Sequence, residues 1–294
     1  MEYRILGQLE VLRQGEPLDL GGPKQRAVLA LLLIEANRVV PVDRLVEQLW
    51  NGRPPASGIG TLQAYVSNLR RVLEPERTAG ATASVLVTHP PGYLLRVGPD
   101  ELDAARFERL AEEARQAVEA GDHEAAAALL DQALRLWRGD ALAEFAYEPF
   151  AAVEAARLEE RRLTMLEDRM DAMLALGRHR EVVADLEQVV NGHPLRERPR
   201  LQLMLALYRS DRQVEALRCY EAGRRLLADE LGIDPSPALR ALEQAVLDHD
   251  AALTWRPPPP ARRRPAPAPK PTPEPVVGAD PGAAAPAPTG VAGD

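Results

Sequence analysis

The chain has 294 residues, 46% of them apolar, which is enough material for more than one core plus a tail. It carries 36 Lys and Arg against 44 Asp and Glu, a net charge of −8, and read whole that balance argues against a nucleic-acid binder. A single cysteine, Cys219, excludes an intrachain disulfide framework, and the longest unbroken apolar run, residues 27–34, is too short to span a bilayer.

Residues 1–98 mix short alternating stretches with helical ones. Ile5, Leu9, Val11, Leu18 and Leu20 sit in strand-like settings, and Gly7, Gly15 and Gly21-Gly22 punctuate them as turns. Three short strands are expected there. A first helix starts near Pro23, a residue suited to a first turn, and runs to about residue 36. A second fits 42–50, with Leu45, Val46 and Leu49 on one face. A third runs over 57–73, where Leu62, Val66, Leu69 and Leu73 follow the helical stripe. Residues 85–88, Pro90-Pro91-Gly92 and 93–97 read as strand, turn and strand. Three helices followed by a hairpin suggest a winged helix-turn-helix. Its third helix would place Gln63, Ala64, Ser67, Asn68 and Arg71 opposite the packed stripe, with Thr61, Tyr65 and Arg70 at the border. These side chains are small or carry donors and acceptors, as reading base edges in a major groove requires.

Residues 99–253 read as helix after helix. Gly177-Arg178-His179-Arg180-Glu181-Val182-Val183 is echoed by Ser210-Asp211-Arg212-Gln213-Val214-Glu215-Ala216-Leu217, and Arg178 and Arg212 are 34 residues apart, the tetratricopeptide period. An earlier copy opens at Gly121-Asp122-His123, followed by an insertion and a long helix over 149–176. His193-Pro194 and Asp234-Pro235 are expected to end the two later units. Stacked helix pairs of this kind present surfaces to protein partners. Residues 254–294 hold 13 prolines in 41 positions, a composition that cannot bury enough surface to offset ordering entropy, so a disordered tail is expected.

The stretch Thr61-Leu62-Gln63-Ala64-Tyr65-Val66-Ser67-Asn68-Leu69-Arg70-Arg71-Val72-Leu73-Glu74-Pro75, with Val87-Thr88-His89-Pro90-Pro91-Gly92-Tyr93-Leu94-Leu95 after it, resembles the recognition helix and wing of OmpR/PhoB-type DNA-binding domains. More closely it resembles AfsR/RedD-type activators, the Streptomyces antibiotic regulatory protein family. Asp103-Ala104-Ala105-Arg106-Phe107, Leu134-Arg135-Leu136-Trp137-Arg138-Gly139-Asp140-Ala141-Leu142 and Leu231-Gly232-Ile233-Asp234-Pro235-Ser236-Pro237 resemble the bacterial transcriptional activator domain that follows in that family. The resemblance implies a mainly α protein: a winged helix with a small sheet and wing hairpin, then a tetratricopeptide-like domain. It implies double-stranded DNA as partner, bound at direct repeats near promoters, with a homodimer on DNA and contact with RNA polymerase holoenzyme. Antibiotic or other secondary-metabolite genes are the implied targets. Thr61, Gln63, Ala64, Ser67, Asn68, Arg70 and Arg71 take the DNA-facing roles by this resemblance, Tyr65 at the border of that face is a candidate phosphate contact, and Tyr93 belongs to the wing. The wing tip carries Pro90-Pro91 where related domains often have small or polar residues, so His89 or Arg96 is the candidate for a minor-groove contact.

Catalytic chemistry finds no support. Neither lysine, Lys24 nor Lys270, lies in a phosphate-binding Gly-Lys-Ser/Thr loop. The five histidines are dispersed and His123-Glu124 lacks a second ligand at helical spacing, so no metal, cofactor or enzyme activity is expected. The start, Met1-Glu2-Tyr3-Arg4, has no signal-peptide pattern, which points to a cytoplasmic protein. A rival reading is a tetratricopeptide-type interaction scaffold with a degenerate DNA-binding domain. Charge by segment bears on the choice: residues 1–98 carry 11 basic and 9 acidic groups (+2), 99–253 carry 20 and 32 (−12), and 254–294 carry 5 and 3 (+2). The acidity belongs to the helical segment, largely beyond the screening length of roughly 8 Å from a DNA-facing surface.

Overall fold

The computed structural model describes residues 1–76, 78 and 82–257, and all of these belong to one compact unit. The chain opens with an antiparallel sheet of β1 (Glu2–Arg4), β2 (Glu10–Arg13) and β3 (Glu16–Pro17), with Tyr3 opposite Val11. Gln14 and Gly15, both at positive φ, form the two-residue turn between β2 and β3. Ile5, Leu9, Leu18 and Leu20 flank these strands rather than lying in them, and Ile5, Leu9 and Leu20 are fully buried.

Helix α1 (Pro23–Ile34) starts on its proline and is buried along most of its length. A short strand β4 (Val39–Pro41) follows, then α2 (Val42–Leu49), α3 (Gly58–Leu73) and the hairpin β5 (Leu86–His89) and β6 (Gly92–Leu95). The second sheet has the order β4-β6-β5. The sequence pattern contains the hairpin but not β4.

The helical part comprises α4 (Asp103–Glu119), α5 (His123–Leu134), the long α6 (Pro149–Ala175), α7 (Val183–Gly192), α8 (Glu197–Tyr208), α9 (Gln213–Leu231) and α10 (Pro237–Leu247). The repeated motif now has a structural meaning. Gly121, Gly177 and Asp211 all adopt positive φ, at 75°, 79° and 64°, and each makes the tight turn that leads toward the next helix, α5, α7 or α9. His193-Pro194 and Asp234-Pro235 fall between the two helices of a pair, α7/α8 and α9/α10, and not at its end. A proline sits well just before a helix and poorly inside one, so it separates the members of a pair. Gly232, at φ 67°, ends α9, and the Ser236 hydroxyl accepts a hydrogen bond from the Leu239 N–H (3.4 Å) to start α10.

One buried apolar cluster runs from Tyr3 and the three helices of the winged helix through Phe107, Trp137 and Phe145 to Met165, so the core continues past residue 98. The seam is also hydrogen-bonded. Asp103, 6% exposed, accepts bonds from the backbone N–H groups of Ile5 (2.8 Å), Leu6 (3.0 Å) and Ala104 (2.8 Å). The backbone N–H groups of Arg138, Leu142 and Ala143 donate to Leu6, Ile5 and Gly7 carbonyls. Arg26 of α1 pairs with Glu144, and the Lys24 ammonium lies 3.7 Å from Glu148. Two motifs that resemble the activator domain, around Asp103 and Arg138, therefore clasp the first sheet. A second cluster, centred on Leu186, Met204, Ala216 and Leu239, holds α7 to α10 together.

Residues 258–294 lie outside the described residues, and with them nearly all of the expected tail. Residues 254–257 continue the fold: the Trp255 indole N–H donates to the Ala175 carbonyl at 2.9 Å, in a socket open because Gly177 has no side chain.

Candidate nucleic-acid interface

Helix α3 has two faces with different fates. Leu62, Val66, Leu69 and Leu73 are at most 3% exposed and pack into the core with α1 and α2. Gly60, Gln63, Ala64, Ser67 and Arg71 form an exposed stripe on the other side. That stripe is nearly free of bulk, so a groove wall can approach the backbone closely, and Gln63 and Arg71 are its long polar side chains. Gly60 is absent from the sequence-based set, although stepping back three and four residues from Gln63 and Ala64 leads to it.

Other expected residues have structural partners. Asn68 is half-buried, and its amide N–H donates to the Gln25 side-chain oxygen of α1 (3.1 Å) while Gln25 donates to the Leu20 carbonyl (2.9 Å). The Asn68 oxygen accepts a bond from the Arg71 guanidinium. Asn68 thus ties α3 to α1 and orients Arg71. Its position between the two stripes makes it a bridge, and Gln25 is the partner that periodicity alone does not reveal. Thr61 is half-buried and its hydroxyl donates back to the Ser57 carbonyl (3.0 Å), inside the first turn. Tyr65 packs its ring at the edge of the core.

Arg70 is engaged by the wing. Its Nε donates to the Leu86 carbonyl (2.8 Å), an Nη to the Thr88 hydroxyl (2.7 Å), and the guanidinium stands 5.8 Å from the Tyr93 ring centre. Arg70 sets the angle between the hairpin and α3. Tyr93 is 7% exposed beneath it, so this wing residue is a core side chain and not an exposed contact. Alternation along β6 turns it inward.

The hairpin tip, His89-Pro90-Pro91-Gly92, is held by register: Gly92 pairs with both His89 and Pro41. His89 is exposed at this tip, its Nδ1 3.1 Å from the Pro90 carbonyl. Arg96 is also exposed, but its backbone N–H bonds to the Val85 carbonyl (2.8 Å) at the opposite end of the hairpin. Four residues of strand separate it from Gly92, about 13 Å. The structure therefore brings Gln63, Ala64, Ser67 and Arg71 onto one surface and leaves His89 at the tip, with Arg96 apart. Among the described residues no group of three or more His, Cys, Asp or Glu is placed to hold a metal, and no helix is long and apolar enough to cross a membrane.

Comparison with known proteins fits this geometry. Residues 15–95 match the family model of the C-terminal domain of transcriptional regulatory proteins, and residues 102–247 match the bacterial transcriptional activator domain. The chain is 44% identical over 254 residues to the regulatory protein AfsR of Streptomyces coelicolor, an alignment covering 86% of this chain and 25% of that protein. It is 41% identical over 256 residues to the regulatory protein DnrI of Streptomyces peucetius, covering 86% of this chain and 94% of DnrI. The solved structure of Mycobacterium tuberculosis EmbR in complex with a low affinity phosphopeptide superposes with a TM-score of 0.80 at 40% identity, covering 84% of this chain and 65% of that one. The chain thus spans a quarter of AfsR, about two thirds of EmbR and nearly all of DnrI. With an OmpR/PhoB-type winged helix followed by an activator domain and this level of identity to DnrI, the chain belongs to the AfsR/RedD-type, or Streptomyces antibiotic regulatory protein, family of transcriptional regulators, which implies DNA binding.

Proposed function

We propose that this protein is a sequence-specific transcriptional activator, without enzymatic activity, that binds direct repeats near the promoters of a secondary-metabolite gene cluster. The observation that carries the reading is the exposed stripe Gly60, Gln63, Ala64, Ser67 and Arg71 on α3, flanked by a wing that Arg70 locks in place. Gln63 and Arg71 read base edges or hold phosphates from the major groove; Ala64 and Ser67 permit close approach. Thr61, Tyr65 and Asn68 position the helix, and Arg70 and Tyr93 position the wing. His89 is the candidate for the neighbouring minor groove, while Arg96 reaches only a flanking phosphate. Residues 99–253 face protein partners: a second copy on DNA and RNA polymerase holoenzyme. The shared core and the Asp103 clasp support a rigid relation between the two surfaces. The protein acts in the cytoplasm.

The Arg71→Ala variant tests the reading. Arg71 is exposed and its loss leaves the core intact. In gel shifts against a site selected by the wild-type chain from random DNA, the variant should bind more weakly by about 1–3 kcal/mol, with a shallower salt dependence. Equal binding by the folded variant would remove Arg71 from the interface. A scaffold with a degenerate DNA-binding domain is the second reading, favoured by the engagement of Arg70 and Asn68 in internal bonds. It expects no selected site at all.

A further inference from the structure

The far end of the helical array contains a cleft of about 550 Å³, within the size range of small-molecule sites. Its walls are the α6–α7 connection, the α8–α9 connection and the C-terminal arm beyond α10. Trp255 of the arm lies on Gly177, where an added Cβ would come within 2.7 Å of the indole, and meets the His179 ring edge-on with centres 5.9 Å apart. The arm is fixed from the other side by Arg209, whose Nε donates to the Leu253 carbonyl at 2.8 Å.

Two arginines of the array that are at least half-buried, Arg200 and Arg209, hold no carboxylate among the described residues, and of these Arg200 is satisfied by the Cys219 (3.0 Å) and Pro194 (2.9 Å) carbonyls. Arg157, Arg169, Arg196 and Arg198 each hold carboxylates. Among the described residues, Arg209 makes that one hydrogen bond and no ion pair. Burial pushes its guanidinium below the ordinary arginine value, with no acidic neighbour to offset it. Asp211, also at the cleft, is 92% exposed and faces Arg180 at 3.8 Å. The same wall contains one buried polar atom without a hydrogen-bond partner among the described residues, the Nδ1 of His179. A partly desolvated cation without a counter-ion in a ligand-sized cleft is costly unless an anion completes it.

We propose that this cleft binds the oxyanion group, carboxylate or phosphate, of a small molecule on the Nη atoms of Arg209, and that its occupant fastens the C-terminal arm to the array. Tyr208, Gln213 and Thr254 line the same cleft and supply neutral donors and acceptors around the anion. Trp255 forms the wall and reports occupancy directly. The geometry stands independently of DNA binding.

The test uses the full chain, titrated with sodium phosphate and separately with sodium acetate against sodium chloride at matched ionic strength. A saturable change in tryptophan fluorescence is expected, absent from Trp255→Phe and weakened about tenfold or more in Arg209→Gln, since a charge-assisted bond is removed. The anion that saturates at the lower concentration identifies the group. No saturable change with either anion, or equal affinity in Arg209→Gln, overturns the proposal. Should Arg209→Gln lose its fold by circular dichroism, the guanidinium NMR resonances of Arg209 in the wild-type chain decide: shifts on titration support the site, and unmoved resonances refute it.

Discussion

Replacing Gly92 with alanine should release the wing from the winged helix. The Gly92 Cα stands against β4 so closely that a Cβ would lie 1.8 Å from the Val40 carbonyl oxygen and 2.7 Å from the Pro41 Cα. Both are backbone atoms and no rotamer relieves them, so β6 must leave β4. The register pairs Pro41↔Gly92, Val40↔Tyr93 and Val39↔Leu94 would be lost together. With them would go the placement of Tyr93 under Arg70. A loss of about 3 kcal/mol or more is expected, at the upper end for overpacking. In a unit of this size that lowers the Tm by about 6 °C or more. Calorimetry measures it, and hydrogen exchange at the Tyr93 and Leu94 amides locates it. A variant melting within a degree of wild type would show that β4 yields easily.

Asp103→Ala is expected to have a similar effect for a different reason. The carboxylate satisfies the N–H groups of Ile5 and Leu6 where the chain leaves β1, and its second contact is the Arg138 guanidinium at 3.4 Å. Burial raises the Asp103 carboxyl above its ordinary value, opposed by those backbone donors and by Arg138. A raised value means that the ionised form is the costlier one in the fold, so the charge withdraws stability as pH rises above the ordinary aspartate range. The cost of Ala is thus the orphaned donors and not a lost charge. Two buried N–H groups without partners cost about 2–5 kcal/mol together. Asp103→Asn should lose less, because its amide oxygen still accepts one bond. Denaturant unfolding of both variants checks the order. An Ala variant as stable as wild type would mean that the seam is held by the shared apolar core alone.

The bounds of α3 follow from apolar spacing because it buries one stripe, Leu62, Val66, Leu69 and Leu73, whereas α6 buries residues on several faces, among them Ala172, Met173 and Leu174 in succession. The hairpin is legible from Pro-Gly punctuation. Strand β4 is not, since three residues ending in proline form a strand only because β6 lies beside them. Within the site, periodicity separates Leu62 and Val66 from Gln63, Ala64, Ser67 and Arg71. It is silent on the rows between, where Asn68 turns to Gln25 and Arg70 to the wing. Those fates depend on elements far away in sequence. The continuity of the core past residue 98 is hidden for the same reason: Asp103 and Arg138 look like ordinary helix-end polar residues until their partners at Ile5 and Leu6 come into view.

We propose the exposed stripe of α3 as the surface that places this regulator on DNA. The most direct measurement is footprinting of the full chain on the DNA upstream of the genes adjacent to its own. Two or more protected direct repeats are expected on one face of the duplex, spaced by about one helical turn of 10–10.5 base pairs, with protection falling steeply as salt rises. The Arg71→Ala chain should leave the same DNA unprotected at the same concentration. Absence of any protected repeat at moderate salt, with the wild-type chain folded, would contradict the account.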